Sequence, residues 1–180
     1  CLYDKKIINF SLNHLKSSNY TFIDQDLEEN KKSFTDYKSY KIFFENKGMI
    51  LDHEKRKNKI VKDIEKILTK KNLQIGNNDK LLDEVTNLVD RPHILECSFD
   101  RKFLSIPKEI LILTMQSHQK YFPLFTKKDE ITNEFIVVAN NKDPKGMIKT
   151  GNERVVDARL NDAEFFWNKD KSQNLVKKVS

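Results

Sequence analysis

The sequence predicts an α+β fold, in which helices and short strands mix without regular alternation. Apolar residues in the middle of the chain recur at steps of three and four, which is typical of a helix that buries one face. These residues are Ile60, Ile64, Ile67 and Leu68. Two short apolar runs, 121–125 and 134–139, flank a polar turn and predict an antiparallel hairpin. Because strands and helices do not alternate strictly, the pattern favours α+β over a parallel sheet covered by helices.

The chain of 180 residues is long enough for one domain, or for one domain with a small appendage. Its composition indicates an irregular N-terminal segment at 1–39 and an α+β region at 40–180. Within the first segment, the polar stretch 17–32 predicts a linker or an insertion, because acidic residues cluster there. The α+β region begins with 40–44, whose aromatic residues and isoleucine predict a strand that ends at a turn over 45–48.

Two helices and a strand are predicted next. Asp52 is a good N-cap for a helix over 53–71. Residues 76–79 interrupt the helical pattern, and Asp79 is the predicted cap of a second helix, which Pro92 brings to an end. The run 93–99 then predicts a strand.

The last third of the chain predicts a helix, the hairpin and a final helix. Pro107 suits the first turn of a helix over 107–119. After the hairpin, a loop at 140–146 leads to a capping-box pattern formed by Thr150 and Glu153. This pattern places the start of the final helix at residue 150, and its end is expected near residue 168.

The final helix has an apolar stripe and a mixed flank when its residues are placed about 100° apart. The stripe consists of Val156, Leu160, Ala163 and Trp167. Arg159 and Asp162 lie together on the flank, three residues apart, and can pair. We favour a partly buried structural ion pair, which predicts that Arg159→Ala lowers the melting temperature. The alternative is an arginine that Asp162 orients toward a phosphate or a partner.

The net charge of +6, from 33 Lys and Arg against 27 Asp and Glu, is weak support for a nucleic-acid partner. Only five of the basic residues are Arg, and the excess of Lys with Asn and Ile is typical of proteins from AT-rich genomes. Two cysteines are too few for a disulfide framework, which favours a reducing, cytoplasmic location. The sequence contains no apolar run long enough for a membrane span and no pattern of a signal peptide.

No complete active site is found in the sequence. The four glycines are isolated, so there is no glycine-rich phosphate loop, and the histidines and cysteines lack the spacing of a zinc site. We therefore assign no catalytic and no metal-binding residues.

Basic residues near two helix ends are the candidate contacts for RNA phosphates. The loop 140–150 carries Lys145 and Lys149 before a predicted helix N-terminus, where backbone N–H groups favour anions, and Arg154 follows in the first turn. Lys120 lies among aromatic residues in 118–122, which suits base stacking combined with phosphate contact. The alternatives are an ordinary basic surface loop and, at 118–122, core aromatic residues with a half-buried His118.

Several runs resemble a known family. Residues 151–167, from Gly151 to Trp167, are similar to the signature of the β subunit of bacterial glycyl-tRNA synthetase, and the runs 107–111 and 115–123 match upstream motifs of that family. Residues 82–89 and 98–100 fit the same order, so that the resemblance covers about 40–175. The sequence departs from the family pattern at Arg91, Val156 and Asp157.

The resemblance implies an α2β2 heterotetramer that attaches glycine to tRNA(Gly) with ATP. It implies that the glycyl-tRNA synthetase alpha subunit holds the catalytic core and uses ATP and Mg²⁺. The β subunit is then expected to bind tRNA and to support assembly, without a cofactor in this section, and neither DNA nor a membrane is expected as a partner. The chain starts at Cys1 without an initiator Met, and we expect it to be an N-terminal section of a longer subunit. The alternative is a standalone RNA- or protein-binding module with the same fold.

Overall fold

The structure is a computed structural model, and it describes residues 2–3, 6–22, 31–76 and 78–172. The chain divides into two compact units, Cys1–Leu51 and Asp52–Ser180. This boundary lies after the one that composition predicts between residues 39 and 40. The boundary predicted from composition stays a prediction.

The described part of the first unit contains three short antiparallel strand pairs. They are β1 (Leu2–Tyr3) with β2 (Lys6–Ile7), β3 (Ser11–Leu12) with β4 (Leu15–Lys16), and β5 (Tyr20–Phe22) with β6 (Lys31–Ser33). The stretch 17–32, predicted as a linker or insertion, therefore contains β5 and the start of β6. Its central part, 23–30, lies outside the described residues.

Helix α1 (Tyr37–Asn46) occupies the position where the sequence predicted a strand over 40–44, and that prediction was wrong. The Asp36 carboxylate accepts a hydrogen bond from the Ser39 N–H at 2.7 Å and caps the helix. The rings of Tyr40 and Phe44, four residues apart, pack with their centroids 4.7 Å apart. Aromatic residues that favour strands are thus held in a helix by a cap and by contacts between successive turns.

The second unit begins with α2 (His53–Lys71) and α3 (Asp79–Leu88). The predicted bounds of α2 and its cap are confirmed, since the Asp52 carboxylate accepts from the Lys55 N–H at 2.9 Å. Asp79 does not cap α3 as predicted: it is the first helical residue, and Asn78 precedes it as the N-cap without a side-chain cap bond. The Asn78 side chain instead bonds the Gly76 carbonyl and the side chain of Gln116.

An antiparallel sheet of three strands lies at the centre of the second unit. Its strands are β7 (His93–Ser98), β8 (Phe122–Phe125) and β9 (Ile131–Ala139), and β9 lies in the middle. The predicted β8–β9 hairpin and the strand at 93–99 are confirmed.

The chain between β7 and β8 forms three helical turns of different kinds. They are a 3₁₀ turn (Arg101–Ser105), α4 (Lys108–Leu113) and a π-helical turn (Thr114–His118). The helix predicted over 107–119 is therefore present, but its second half is π-helical. Met115 in this turn is fully buried, and its carbonyl accepts from the Tyr121 N–H at 3.0 Å.

Helix α5 (Met147–Ser172) is longer at both ends than predicted. Thr150 lies inside the helix, so the predicted capping box is wrong. The Asp143 carboxylate, further upstream, accepts from the Lys149 N–H at 2.7 Å. No helix within the described residues combines the length and the apolar character needed to cross a membrane.

The sheet separates two apolar clusters, because side chains of β9 alternate between its faces. Phe135 and Val137 belong to the cluster under α5, in which Val156 and Leu160 are fully buried, as predicted for the apolar stripe. Ile136 faces the cluster that α2 and α3 cover. The predicted α+β class is confirmed, with α5 on one face of the sheet and α2 and α3 on the other.

Candidate functional site

The runs 115–123 and 151–167, which resemble motifs of the family, meet at a part-buried hydrogen bond. The Tyr121 hydroxyl donates to Oδ1 of Asn152 in α5. Tyr121 is 7% exposed and its ring stacks on Phe135, with 5.3 Å between the centroids. Burial raises the pKa of the Tyr121 hydroxyl. Because the Asn152 amide also donates to the Ile148 carbonyl at 2.6 Å, its orientation is set from both ends.

A polar ladder on α5 fixes the helix to the chain that leaves β7. Three α5 side chains, one helical turn apart, accept hydrogen bonds from this chain. The pairs are Glu153 Oε1 with the Ser98 N–H at 2.8 Å, Asp157 Oδ1 with the Asp100 N–H at 3.2 Å, and Asn161 Oδ1 with Lys102 Nζ at 3.4 Å. This role of Glu153 was not predicted from the sequence. The signal available was the spacing of three oxygen acceptors at intervals of four residues.

The N-terminus of α5 is closed by a carboxylate of the same chain. The sequence predicts that the backbone N–H groups at this end face an RNA phosphate. Backbone N–H groups of Lys149, Ile148, Met147 and Gly146 favour the charged form of the Asp143 carboxylate and lower its pKa. A phosphate at this loop would therefore have to be held by side chains, since Asp143 already faces the N–H groups.

The four predicted tRNA-binding residues do not form one cluster. Lys120 Nζ lies 2.6 Å from Glu84 Oε2, and this bond lowers the pKa of the Glu84 carboxyl. Lys149 Nζ lies 3.9 Å from Glu153 Oε1. Lys145 and Arg154 are exposed, and within the described residues neither forms an ion pair. Lys149 and Arg154 are also about 140° apart around the helix axis.

Lys120 lies beside a polar groove of about 310 Å³ between the start of α3 and the π-helical turn. Gln116 Nε2 donates to Asn78 Oδ1 at 2.5 Å across this groove. His118 is exposed, so the alternative of a half-buried histidine that closes an apolar stripe is wrong. The π-helical turn explains this, because it changes the direction of side chains relative to a regular α-helix.

Arg159 and Asp162 are both exposed on α5. Among the residues that the structure describes, no ion pair joins them. The structure thus does not place these two residues in the partly buried setting expected from their spacing. Arg159 and Asp162 lie on the side of α5 that faces away from the sheet. Tertiary packing sets the orientation of the helix, and the spacing of two residues carries no information on it.

The described residues contain no group of three or more His, Cys, Asp and Glu side chains that could hold a metal ion. Cys97 is 3% exposed, and burial, with the nearby Glu153 carboxylate, raises the pKa of its thiol to about 12. A thiol with this pKa is protonated at neutral pH and is a poor nucleophile.

Comparison with known proteins identifies relatives over the whole chain. Residues 1–180 match the family model described as glycyl-tRNA synthetase beta subunit. The chain is similar to glycine–tRNA ligase beta subunits from three bacteria. It is 37% identical over 176 residues to that of Thermodesulfovibrio yellowstonii, 38% over 181 residues to that of Neisseria meningitidis serogroup C, and 34% over 182 residues to that of Listeria monocytogenes.

These alignments cover 97% to 99% of the chain and 26% of each of the three relatives. The chain thus spans about a quarter of the length of the curated relatives it matches.

Proposed function

Since the chain belongs to the family of glycyl-tRNA synthetase beta subunits, we propose that it is a section of such a subunit and supports the ATP-dependent attachment of glycine to tRNA(Gly). The match over the whole chain, to relatives named as glycine–tRNA ligase beta subunits, carries this proposal. The proposed place of action is the cytoplasm. The alternative, a standalone RNA- or protein-binding module, has no comparable observation in its favour.

The section contributes surfaces and no catalytic group in this proposal. ATP and Mg²⁺ are used by the alpha subunit, with which the full subunit assembles as α2β2. The part-buried bond between Tyr121 and Asn152 and the ladder from Glu153 to Asn161 support a structural role for the run 151–167. These contacts hold α5 in one position, so that its exposed residues form a defined surface.

Lys145 and Arg154 are the proposed contacts for tRNA phosphates. Both are exposed and without an acidic partner among the described residues, so no internal ion pair has to break when RNA binds. Lys120 and Lys149 are weaker candidates, because Glu84 and Glu153 lie within ion-pair distance of them. The forked guanidinium of Arg154 suits a phosphate better than an ammonium group does.

The salt dependence of tRNA binding tests this assignment. Each phosphate contact on double-stranded RNA is expected to contribute about −0.9 to the slope of log K against log salt, by analogy with duplex DNA. Replacing Lys145 and Arg154 with Ala in the full-length subunit, assembled with its alpha subunit, should weaken binding and make the slope shallower by about 2.

Lys62→Ala is the matched control, because Lys62 is an exposed lysine on α2. It should leave the slope unchanged, because α2 covers the face of the sheet opposite to α5. A double variant at 145 and 154 with the slope and affinity of the parent would refute the assignment of these two residues.

A further inference from the structure

Helix α5 has a second apolar face that no residue described in the second unit covers. We call it the outer face and define it by six exposed residues. They are Val155, Ala158, Arg159, Asp162, Phe165 and Phe166. Phe165 and Phe166 are 63% and 60% exposed, and Val155 is 41% exposed. At about 100° per residue, the six fall within a sector of about 120° around the helix axis.

The outer face points in a different direction from the stripe that packs on the sheet. The centres of the two faces are about 130° apart around the helix axis. Val156 and Leu160 on the packed stripe are fully buried, whereas both phenylalanines of the outer face are more than half exposed. A helix with apolar residues on two faces is typically buried between two layers, because a single layer covers only one face. Contiguous exposed apolar residues mark interaction surfaces more often than free surface.

We propose that the outer face packs against the remainder of the same β subunit. The relatives carry about three quarters of their length outside the section that this chain matches, and that remainder is the occupant we assign. Interfaces between domains of one chain mix apolar and polar residues, as this face does with two phenylalanines beside Arg159 and Asp162. The small side chain of Ala158 lets a packed element approach the helix closely. Arg154 lies at the edge of the face and stays accessible.

The test measures the reactivity of single cysteines in the full-length β subunit. Phe165→Cys and Phe166→Cys each introduce a thiol on the outer face, and Lys66→Cys is the control, because the Lys66 side chain is 75% exposed on α2. Alkylation by N-ethylmaleimide is followed by mass spectrometry of the labelled peptide, in the subunit alone, with alpha subunit and with tRNA. In the subunit alone, both outer-face cysteines should react at least about tenfold more slowly than the control.

Ala158→Cys keeps both phenylalanines, and its thiol should be equally protected. The test therefore remains valid even if loss of a phenylalanine ring disturbs the packing of the outer face. Alkylation at the control rate in the subunit alone overturns the proposal, because the face is then open. Protection that appears only with the alpha subunit, or only with tRNA, also overturns it and assigns the face to that partner. The proposal rests on membership of the family and not on glycylation or tRNA affinity, so its failure is distinct from a failure of the proposed function.

Discussion

The hydrogen bond between Tyr121 and Asn152 is predicted to couple the runs 115–123 and 151–167 energetically. Tyr121→Phe removes the hydroxyl that donates to Oδ1 of Asn152. Tyr121 is only 7% exposed, so water has little access to replace this donor. The net value of a buried hydrogen bond is about 0.5–1.5 kcal/mol, and an unsatisfied buried group costs about 1–3 kcal/mol. We therefore expect Tyr121→Phe to lower the free energy of unfolding by about 1–3 kcal/mol.

Asn152→Ala should cost a similar amount, since it leaves the Tyr121 hydroxyl unpaired and removes the bond to the Ile148 carbonyl. The double variant should cost less than the sum of the two single variants. A coupling of about 1 kcal/mol is expected, because both single variants break the same bond. Neither variant changes a residue that we place on the RNA-binding surface or on the outer face.

Urea unfolding followed by tryptophan fluorescence is a suitable assay, because the chain has a single tryptophan. Trp167 lies on α5, so its signal reports the detachment of this helix. Free energies that add within about 0.3–0.5 kcal/mol would refute the coupling, since additivity indicates independent sites. If Tyr121→Phe has the same free energy of unfolding as the parent, the hydrogen bond does not stabilise the fold.

Three further predictions concern α5 and the strand beside it. Leu160→Ala should lower the free energy of unfolding by about 2–5 kcal/mol in urea unfolding, since the Leu160 side chain of α5 is fully buried in the cluster with Phe135. Arg159→Ala should change the stability of this chain by no more than about 0.5 kcal/mol, because the side chain is exposed. A clear fall in melting temperature would contradict this and favour the buried ion pair that the spacing predicts. Burial raises the pKa of the Cys97 thiol from 9.0 to about 12, so the protonated folded form contributes stability below pH 9 that is lost as the pH rises toward 12. Cys97→Ala should show a smaller loss of stability in melting curves from pH 9 to 11, and an equal loss would contradict the burial of the thiol.

The elements that the sequence predicted well are those in which local signals and packing agree. Helix α2 has its cap at Asp52 and its apolar residues at helical spacing, and both matched the structure. The hairpin β8–β9 was predicted from two apolar runs around a polar turn. In the same way, the apolar stripe of α5 identified Val156 and Leu160 as core residues.

The errors occurred where a local pattern had two solutions. Thr150 and Glu153 have the spacing of a capping box, but Asp143 caps the helix earlier, and Glu153 accepts from Ser98 instead. The run 40–44 has the residue types of a strand, yet the cap at Asp36 starts a helix before it. In both cases the deciding group lies upstream of the pattern or in a distant part of the chain.

The candidate site was predicted only in part, for the same reason. The spacing of Arg159 and Asp162 allows pairing, but it does not report that their side of the helix faces away from the sheet. Proximity in sequence also suggested one basic cluster around the start of α5. The structure separates Lys149, beside Glu153, from Arg154 on the other side of the helix. Ion pairs between distant residues, such as Lys120 with Glu84, carry no local signal.

We propose that this section belongs to a glycine–tRNA ligase and serves it by binding tRNA without taking part in catalysis. The most direct measurement is the steady-state rate of tRNA(Gly) glycylation by the alpha subunit with the full-length β subunit, with and without Ala at 145 and 154. We predict activity for the parent pair. For the variant we predict a KM for tRNA raised several-fold with little change in kcat, because only binding is weakened. Absence of glycylation by the parent pair, or a loss of kcat at an unchanged KM, would contradict this proposal.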